Sequence, residues 1–93
     1  MNIRKIKLEL TVDLMNLPRS HNPVSFAKEK MDRFSAETGV FKGLVETNTT
    51  RINNNIRYRT LALQFERCTL NLDLVEDEAN NEEYLQNFNL FEN

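Results

Sequence analysis

The chain has 93 residues, of which 40 % are hydrophobic and 28 % are charged. This length predicts one domain over residues 1–93, and the composition is that of an ordinary globular protein, so a multidomain protein is excluded. The apolar runs are far shorter than the roughly 20 residues that cross a bilayer, which excludes a membrane-spanning protein.

The single Cys68 cannot form an internal disulfide, and residues 1–17 lack the basic and then apolar pattern of a signal peptide. We therefore expect a cytoplasmic protein.

The net charge of −2 hides a strong division along the chain. Residues 1–67 carry all 12 basic residues against seven acidic ones, whereas residues 68–93 carry seven acidic residues and no basic one. Such asymmetry bears on association with partners rather than on the fold.

Residues 6–14 alternate strictly, with an apolar residue at every even position and a polar residue at every odd one. A period of two predicts a half-buried β-strand. The polar face from Lys5 to Asp13 alternates in sign, with Lys7 beside Glu9, and could complement itself across a two-fold axis. We therefore predict a homodimer.

A helix is predicted from Pro23 to Thr38. Asn22 can cap free backbone N–H groups, and a proline at the first helical position loses nothing by lacking its own. Gly39 stands where a left-handed residue would end the helix.

Three strands are predicted to follow this helix. The run Asn53-Asn54-Asn55 indicates a hairpin turn because asparagine tolerates a positive φ, and a second tight turn is placed at Glu66-Arg67. Between these turns the apolar residues change phase, which predicts a bulge near Arg59-Thr60. The third strand, from Cys68 to Leu74, alternates cleanly.

The C-terminal segment is predicted to be an acidic helix over about residues 80–92. Asn80 and Glu83 approximate a capping box, and Glu82 adds a second acidic residue to the first turn. Apolar residues then fall at helical spacing, namely Tyr84, Leu85, Phe88 and Phe91. This stripe could close the domain's own core or dock on a partner, and the pattern leaves both roles open.

These elements predict an α+β fold with a single four-stranded antiparallel sheet and helices on one face, in the order β-α-β-β-β-α. The order resembles that of ribosome-associated hibernation factors and, without the first strand, of double-stranded-RNA-binding domains. That resemblance covers element order and implies RNA binding. The second helix of the latter family carries basic residues, whereas Tyr84 to Phe91 is flanked by acidic ones.

Residues for catalysis are few. His21 is the only histidine and sits in a loop between Pro18 and Pro23, and Cys68 opens a core strand where we expect an inert thiol. One histidine and one cysteine cannot build a nitrogen and sulfur metal site. We therefore predict no enzyme, no metal site and no cofactor.

We therefore expect the protein to act by binding another protein of basic character. It would be a small adaptor, an assembly subunit or an inhibitor. An inhibitor encoded by a phage or mobile element is one specific form. The predicted partner-binding residues are those of the acidic and aromatic C-terminal segment: Glu82, Glu83, Tyr84, Leu85, Phe88 and Phe91.

The alternative is binding of RNA or DNA through a basic sheet face. Lys5 and Lys7 share one face of the first predicted strand, and Arg57 and Arg59 share one face of the third. If these strands were neighbours, the four bases could contact phosphates. Arginines that keep an edge strand from aggregating would be the simpler explanation.

Overall fold

The computed structural model describes residues 1–18 and 21–93, so Arg19 and Ser20 lie outside the described residues. Helices come first and strands follow. The elements are α1 (Ile3–Met15), α2 (Pro23–Met31), a 3₁₀ turn (Asp32–Phe34), α3 (Ser35–Thr38), β1 (Phe41–Arg51), β2 (Ile56–Phe65), β3 (Cys68–Asp77) and β4 (Glu82–Glu92).

The four strands form one antiparallel sheet in sequence order, with β1 and β4 at its edges. The predicted α+β class and four-stranded antiparallel sheet are therefore confirmed. The predicted order β-α-β-β-β-α is wrong, because the helices precede all four strands. The element order that supported the resemblance to RNA-binding families is not present.

The core lies between the helices and one face of the sheet. Leu70, Leu72 and Leu74 of β3 are fully buried, and α1 and α2 cover them. From the helices the core receives Ile6, Leu10, Leu14, Ala27 and Met31. The opposite face of the sheet carries the odd-numbered residues of β3, which are all partly exposed.

The first predicted strand is wrong, because residues 3–15 form helix α1. Asn2 caps this helix: its side chain accepts a hydrogen bond from Lys5 N at 3.1 Å. Ile6, Leu10 and Leu14 are buried at a spacing of four, while Leu8 is 68 % exposed and Val12 is 56 % exposed. The odd-numbered residues from Lys5 to Asp13 therefore share no single face, and the basis for a strand-mediated dimer is lost.

The predicted helix start at Pro23 is confirmed. The side chain of Asn22 accepts hydrogen bonds from the backbone N–H groups of Val24 and Ser25, at 2.9 and 3.1 Å. The helical run to Thr38 is interrupted by the 3₁₀ turn, and it ends at Gly39, whose φ is +82°. A positive φ is favourable for glycine because it has no Cβ.

The hairpin turn at residues 53–55 and the tight turn at Glu66-Arg67 are both in the predicted places. The first turn, however, uses a side chain rather than a positive φ: Asn53 Oδ1 accepts from Asn55 N at 2.8 Å and from Ile56 N at 2.9 Å. Asn81 is the non-glycine residue with a positive φ among residues 1–18 and 21–93.

The predicted bulge in β2 is also wrong. The irregularities of the β1–β2 pairing lie on β1, and β2 pairs with β3 without interruption. Ile56 and Tyr58 therefore point to the face away from the helices, while Arg57 and Arg59 share a face with Leu61.

The predicted C-terminal helix at residues 80–92 is wrong, because Glu82–Glu92 forms edge strand β4. Its pairing with β3 has a register shift after Leu85, which pairs with Leu74, so that Phe88 pairs with Leu72. This bulge leaves Leu85 and Phe88 on the same face at a separation of three residues. The helical spacing of Leu85 and Phe88 in the sequence therefore results from that bulge.

Within the described residues, no helix is long and apolar enough to cross a membrane.

Candidate protein-binding site

A cleft of about 390 Å³ lies where the end of α1 and the loop before α2 approach the start of β4. Its apolar part comes from Leu14, Leu17 and Leu85, with Pro18 and Pro23 beside them. Its polar part comes from His21, Asn22, Asn81, Glu82, Glu83 and Tyr84. A space of this size is within the range of small-ligand and side-chain pockets.

The turn between β3 and β4 forms one wall of the cleft. Asp77 stabilises this turn, because its carboxylate accepts hydrogen bonds from Ala79 N and from the Asn80 amide, both at 3.0 Å. Asn81 then adopts a φ of +56°, a conformation that asparagine tolerates better than most residues. The turn thus presents Glu82 and Glu83 at the cleft.

The two glutamates have different surroundings. Glu83 has a side chain only 17 % exposed and accepts from the Arg59 guanidinium at 2.9 Å. Glu82 is exposed and accepts a hydrogen bond from the Tyr84 hydroxyl. The Tyr84 hydroxyl carries no charge, so this contact does not pair Glu82 with a cation.

The predicted partner-binding residues are therefore divided between the two faces of β4. Leu85 and Phe88 pack against the core, whereas Tyr84 and Phe91 are 40 and 41 % exposed. The cleft includes Glu82 to Leu85 and excludes Phe88 and Phe91. No single stripe contains all six residues.

An ion-pair network occupies the sheet beyond the helices. Arg59 donates to Glu46 at 2.9 Å, to Glu76 at 3.3 Å and to Glu83 at 2.9 Å, so that it joins β1, β3 and β4. Arg57 donates to Glu76 at 2.7 Å. Nearby, Arg51 donates to Glu78 at 2.8 Å.

The network shifts the acidity of its members. The hydrogen bond from Arg57 holds the pKa of Glu76 below its ordinary value, and hydrogen bonds from Thr49 and Arg59 do the same for the pKa of Glu46. Hydrogen bonds to these carboxylates raise the pKa of both arginines. These shifts favour the charged forms of Glu46, Glu76, Arg57 and Arg59.

The four bases predicted for nucleic-acid binding do not lie on neighbouring strands. Lys5 and Lys7 belong to the first turns of α1, and Arg57 and Arg59 belong to β2. The two arginines are engaged by carboxylates of the same chain.

His21 lies at the cleft with its ring edge-on to Phe26, at 5.9 Å between centroids. Cys68 is fully buried, and burial raises the pKa of its thiol. Among residues 1–18 and 21–93, no three histidine, cysteine or acidic side chains are grouped as metal ligands.

Sequence reasoning missed the contribution of Leu14, Leu17 and His21 to this site. These residues are more than 60 positions from Glu82 in the chain, and local patterns carry no signal for contacts of that range. In addition, the sequence predicted a strand at residues 6–14, and Leu14 reaches the cleft from the end of a helix.

Comparisons of this chain with protein-family models, with curated proteins and with solved structures found no match.

Proposed function

We propose that the protein is a non-catalytic binding module and that the cleft beside β4 receives a basic side chain of a protein partner. The observation that carries this proposal is a cleft whose lining combines the apolar side chains of Leu14, Leu17 and Leu85 with the exposed carboxylate of Glu82. It serves as an adaptor, assembly subunit or inhibitor, and the partner contributes the basic surface.

The chemistry of the cleft fits arginine or lysine. Both side chains have an aliphatic stem that packs on apolar surface and a charged end that seeks a carboxylate. Leu14, Leu17 and Leu85 offer the surface, and Glu82 offers the carboxylate.

The surrounding charge supports the same class of partner. Of the seven acidic residues between Cys68 and Asn93, Glu76, Glu78 and Glu83 pair with arginines of this chain. The other four keep the segment negative, and such charge steers partners of the opposite sign toward it. β4 is also an edge strand, so its free side can add main-chain hydrogen bonds to an extended partner segment.

A direct test is an NMR titration of the protein with a short peptide that alternates arginine and leucine. We expect shifts of the backbone amide signals to concentrate at Leu17, Glu82 and Leu85. Equal shifts at every acidic surface would contradict the proposal, because they would indicate attraction by charge alone.

A matched pair of variants sharpens the titration. Glu82→Lys reverses a charge at the cleft and should weaken peptide binding by about tenfold or more. Glu29→Lys makes the same change at an exposed position of α2 and should leave binding nearly unchanged. Equal weakening by both variants would remove the cleft from the interaction.

Nucleic-acid binding is the alternative function. It would use Lys5, Lys7, Arg57 and Arg59, of which the two arginines already hold carboxylates. A gel-shift assay with RNA and DNA at several salt concentrations separates the two functions, because phosphate binding weakens steeply with salt. Retarded bands that disappear between about 50 and 200 mM salt would favour the alternative.

A further inference from the structure

Helix α1 is apolar on two opposite faces. Its inner face buries Ile6, Leu10 and Leu14 in the core. Its outer face exposes Leu8 by 68 %, Val12 by 56 % and Met15 by 80 %. A helix that packs on one core needs only one apolar stripe. The outer face is therefore not explained by the fold of this chain.

The spacing of the outer residues is that of a coiled-coil seam. Positions 5, 8, 12 and 15 of α1 are separated by three, four and three residues, and they hold Lys5, Leu8, Val12 and Met15. These four residues, which we term the outer seam, are apolar except for Lys5. Alternating spacings of four and three residues keep one stripe facing a partner helix along its whole length.

A shallow groove of about 270 Å³ runs beside the outer seam. It is lined by Leu8, Glu9, Val12, Asp13 and Arg33. Asp13 and Arg33, two of these lining residues, form an ion pair. Such a groove offers space for side chains from a second helix.

The charges of α1 suit an antiparallel pairing with a second copy of α1. Arg4, Lys5 and Lys7 lie in its first half, and the last turn has no basic residue. Cations at a helix N-terminus oppose the helix dipole. In an antiparallel pair, each basic end lies beside the partner's C-terminal end, where the dipole is negative. A parallel pair would place the basic ends together.

We propose that the outer seam of α1 is the interface of an antiparallel homodimer. The helix is only about 20 Å long. A contact of that length is smaller than the roughly 800 Å² per partner of a typical stable interface, so we expect a weak dimer. This surface shares no lining residue with the cleft beside β4.

The test is sedimentation equilibrium over a concentration range of about 5 to 500 µM. The wild-type chain should shift from monomer to dimer within this range. Leu8→Glu combined with Val12→Glu should raise the dissociation constant by at least about tenfold, because it buries charge at the seam. The control is Val40→Glu with Ile52→Glu, at positions 68 and 58 % exposed outside α1, and it should dimerise like the wild type.

A second variant separates weaker dimerisation from a loss of folded structure. Leu8→Ala with Val12→Ala removes the same apolar surface while keeping high helix propensity. It should also weaken the dimer and retain the far-UV circular dichroism spectrum of the wild type.

The orientation is tested with Lys5→Glu. This change suits the helix's own dipole, so it should not weaken the helix. In an antiparallel dimer it replaces a favourable contact with the partner's negative end by a repulsive one, and the dissociation constant should rise. In a parallel dimer it exchanges one like-charge pair for another, and an unchanged constant would overturn the antiparallel assignment.

Two further outcomes would overturn the dimer itself. One is a monomer at every concentration, and the other is a dimer that is insensitive to the Leu8 and Val12 substitutions. A monomer that binds vesicles containing phosphatidylglycerol, and loses this binding in the Leu8→Glu and Val12→Glu variant, would also overturn it and assign the outer seam to a membrane surface.

Discussion

Arg59 on β2 reaches past β3 to donate a hydrogen bond to Glu83 on β4, with 2.9 Å between Arg59 Nη1 and Glu83 Oε2. The same guanidinium binds Glu46 on β1 and Glu76 on β3. One side chain therefore ties all four strands together where the helices no longer cover the sheet.

Replacing Arg59 by alanine should lower the melting temperature by about 5 °C or more, because Glu46 and Glu83 would lose the arginine that they share with Glu76, and Arg57 would remain as a partner of Glu76 alone. Thermal denaturation followed by circular dichroism measures the effect. Arg4→Ala, at an exposed position of α1, is the control and should change the melting temperature little. Equal decreases in the melting temperature of the two variants would show that the ion pairs of Arg59 do not stabilise the fold.

Stability should fall as the pH drops below about 4.5. The pKa values of Glu46 and Glu76 are lowered in the folded protein, so the stability that their charges supply is present above the unfolded pKa. It is lost as the pH falls through the lower folded values. Urea denaturation at a series of pH values measures this loss.

Glu76→Gln should flatten that acid limb, since the amide does not titrate. Glu29→Gln, at an exposed position of α2, should leave the limb as steep as in the wild type. An identical pH dependence in all three proteins would exclude the network as its source.

Gly39→Ala should destabilise the protein by about 1–3 kcal/mol. Gly39 has a φ of +82°, and an added Cβ would lie 2.4 Å from the Cβ of Glu66. Gly43 also has a positive φ, of +151°, but an added Cβ there meets no atom within 4 Å. The comparison of Gly39→Ala with Gly43→Ala by urea denaturation therefore isolates the steric contact, and a larger loss at Gly43 would contradict it.

Asn53→Ala should destabilise the β1–β2 hairpin by about 1 kcal/mol, because it removes two hydrogen bonds to backbone N–H groups. Asn54→Ala should be nearly neutral, since the positive φ first expected in this turn is not used there. Equilibrium denaturation of both variants tests the difference. A greater effect at position 54 would show that the turn has another conformation.

The sequence predicted the class of the fold, the sheet, the helix start at Pro23 and the turns at 53–55 and 66–67. It failed at α1 for a physical reason. Successive even residues lie about 200° apart around a helix. Strict alternation over residues 6–14 therefore describes either one face of a strand or two opposite faces of a helix, and only tertiary contacts decide between them.

The error at β4 has a different cause. A bulge changes which residues share a face, so that Leu85 and Phe88 acquire the spacing of a helix turn while they pair with β3. The cleft beside β4 could not be predicted either, because it joins α1 to β4 across most of the chain. The acidic character of the segment could be predicted, since charge is a property of composition.

The strand order β1-β2-β3-β4 also has a consequence for how the chain folds. Each strand pairs only with its sequence neighbours, through connections of four, two and four residues. Closing such short loops loses little chain entropy, so the three hairpins can form quickly and in succession. The contact between α1 and β4 joins the first and the last element of the chain, so it encloses the longest stretch of sequence. We therefore expect the sheet to assemble first and the N-terminal helices to dock on it last, which makes them the slow step of folding.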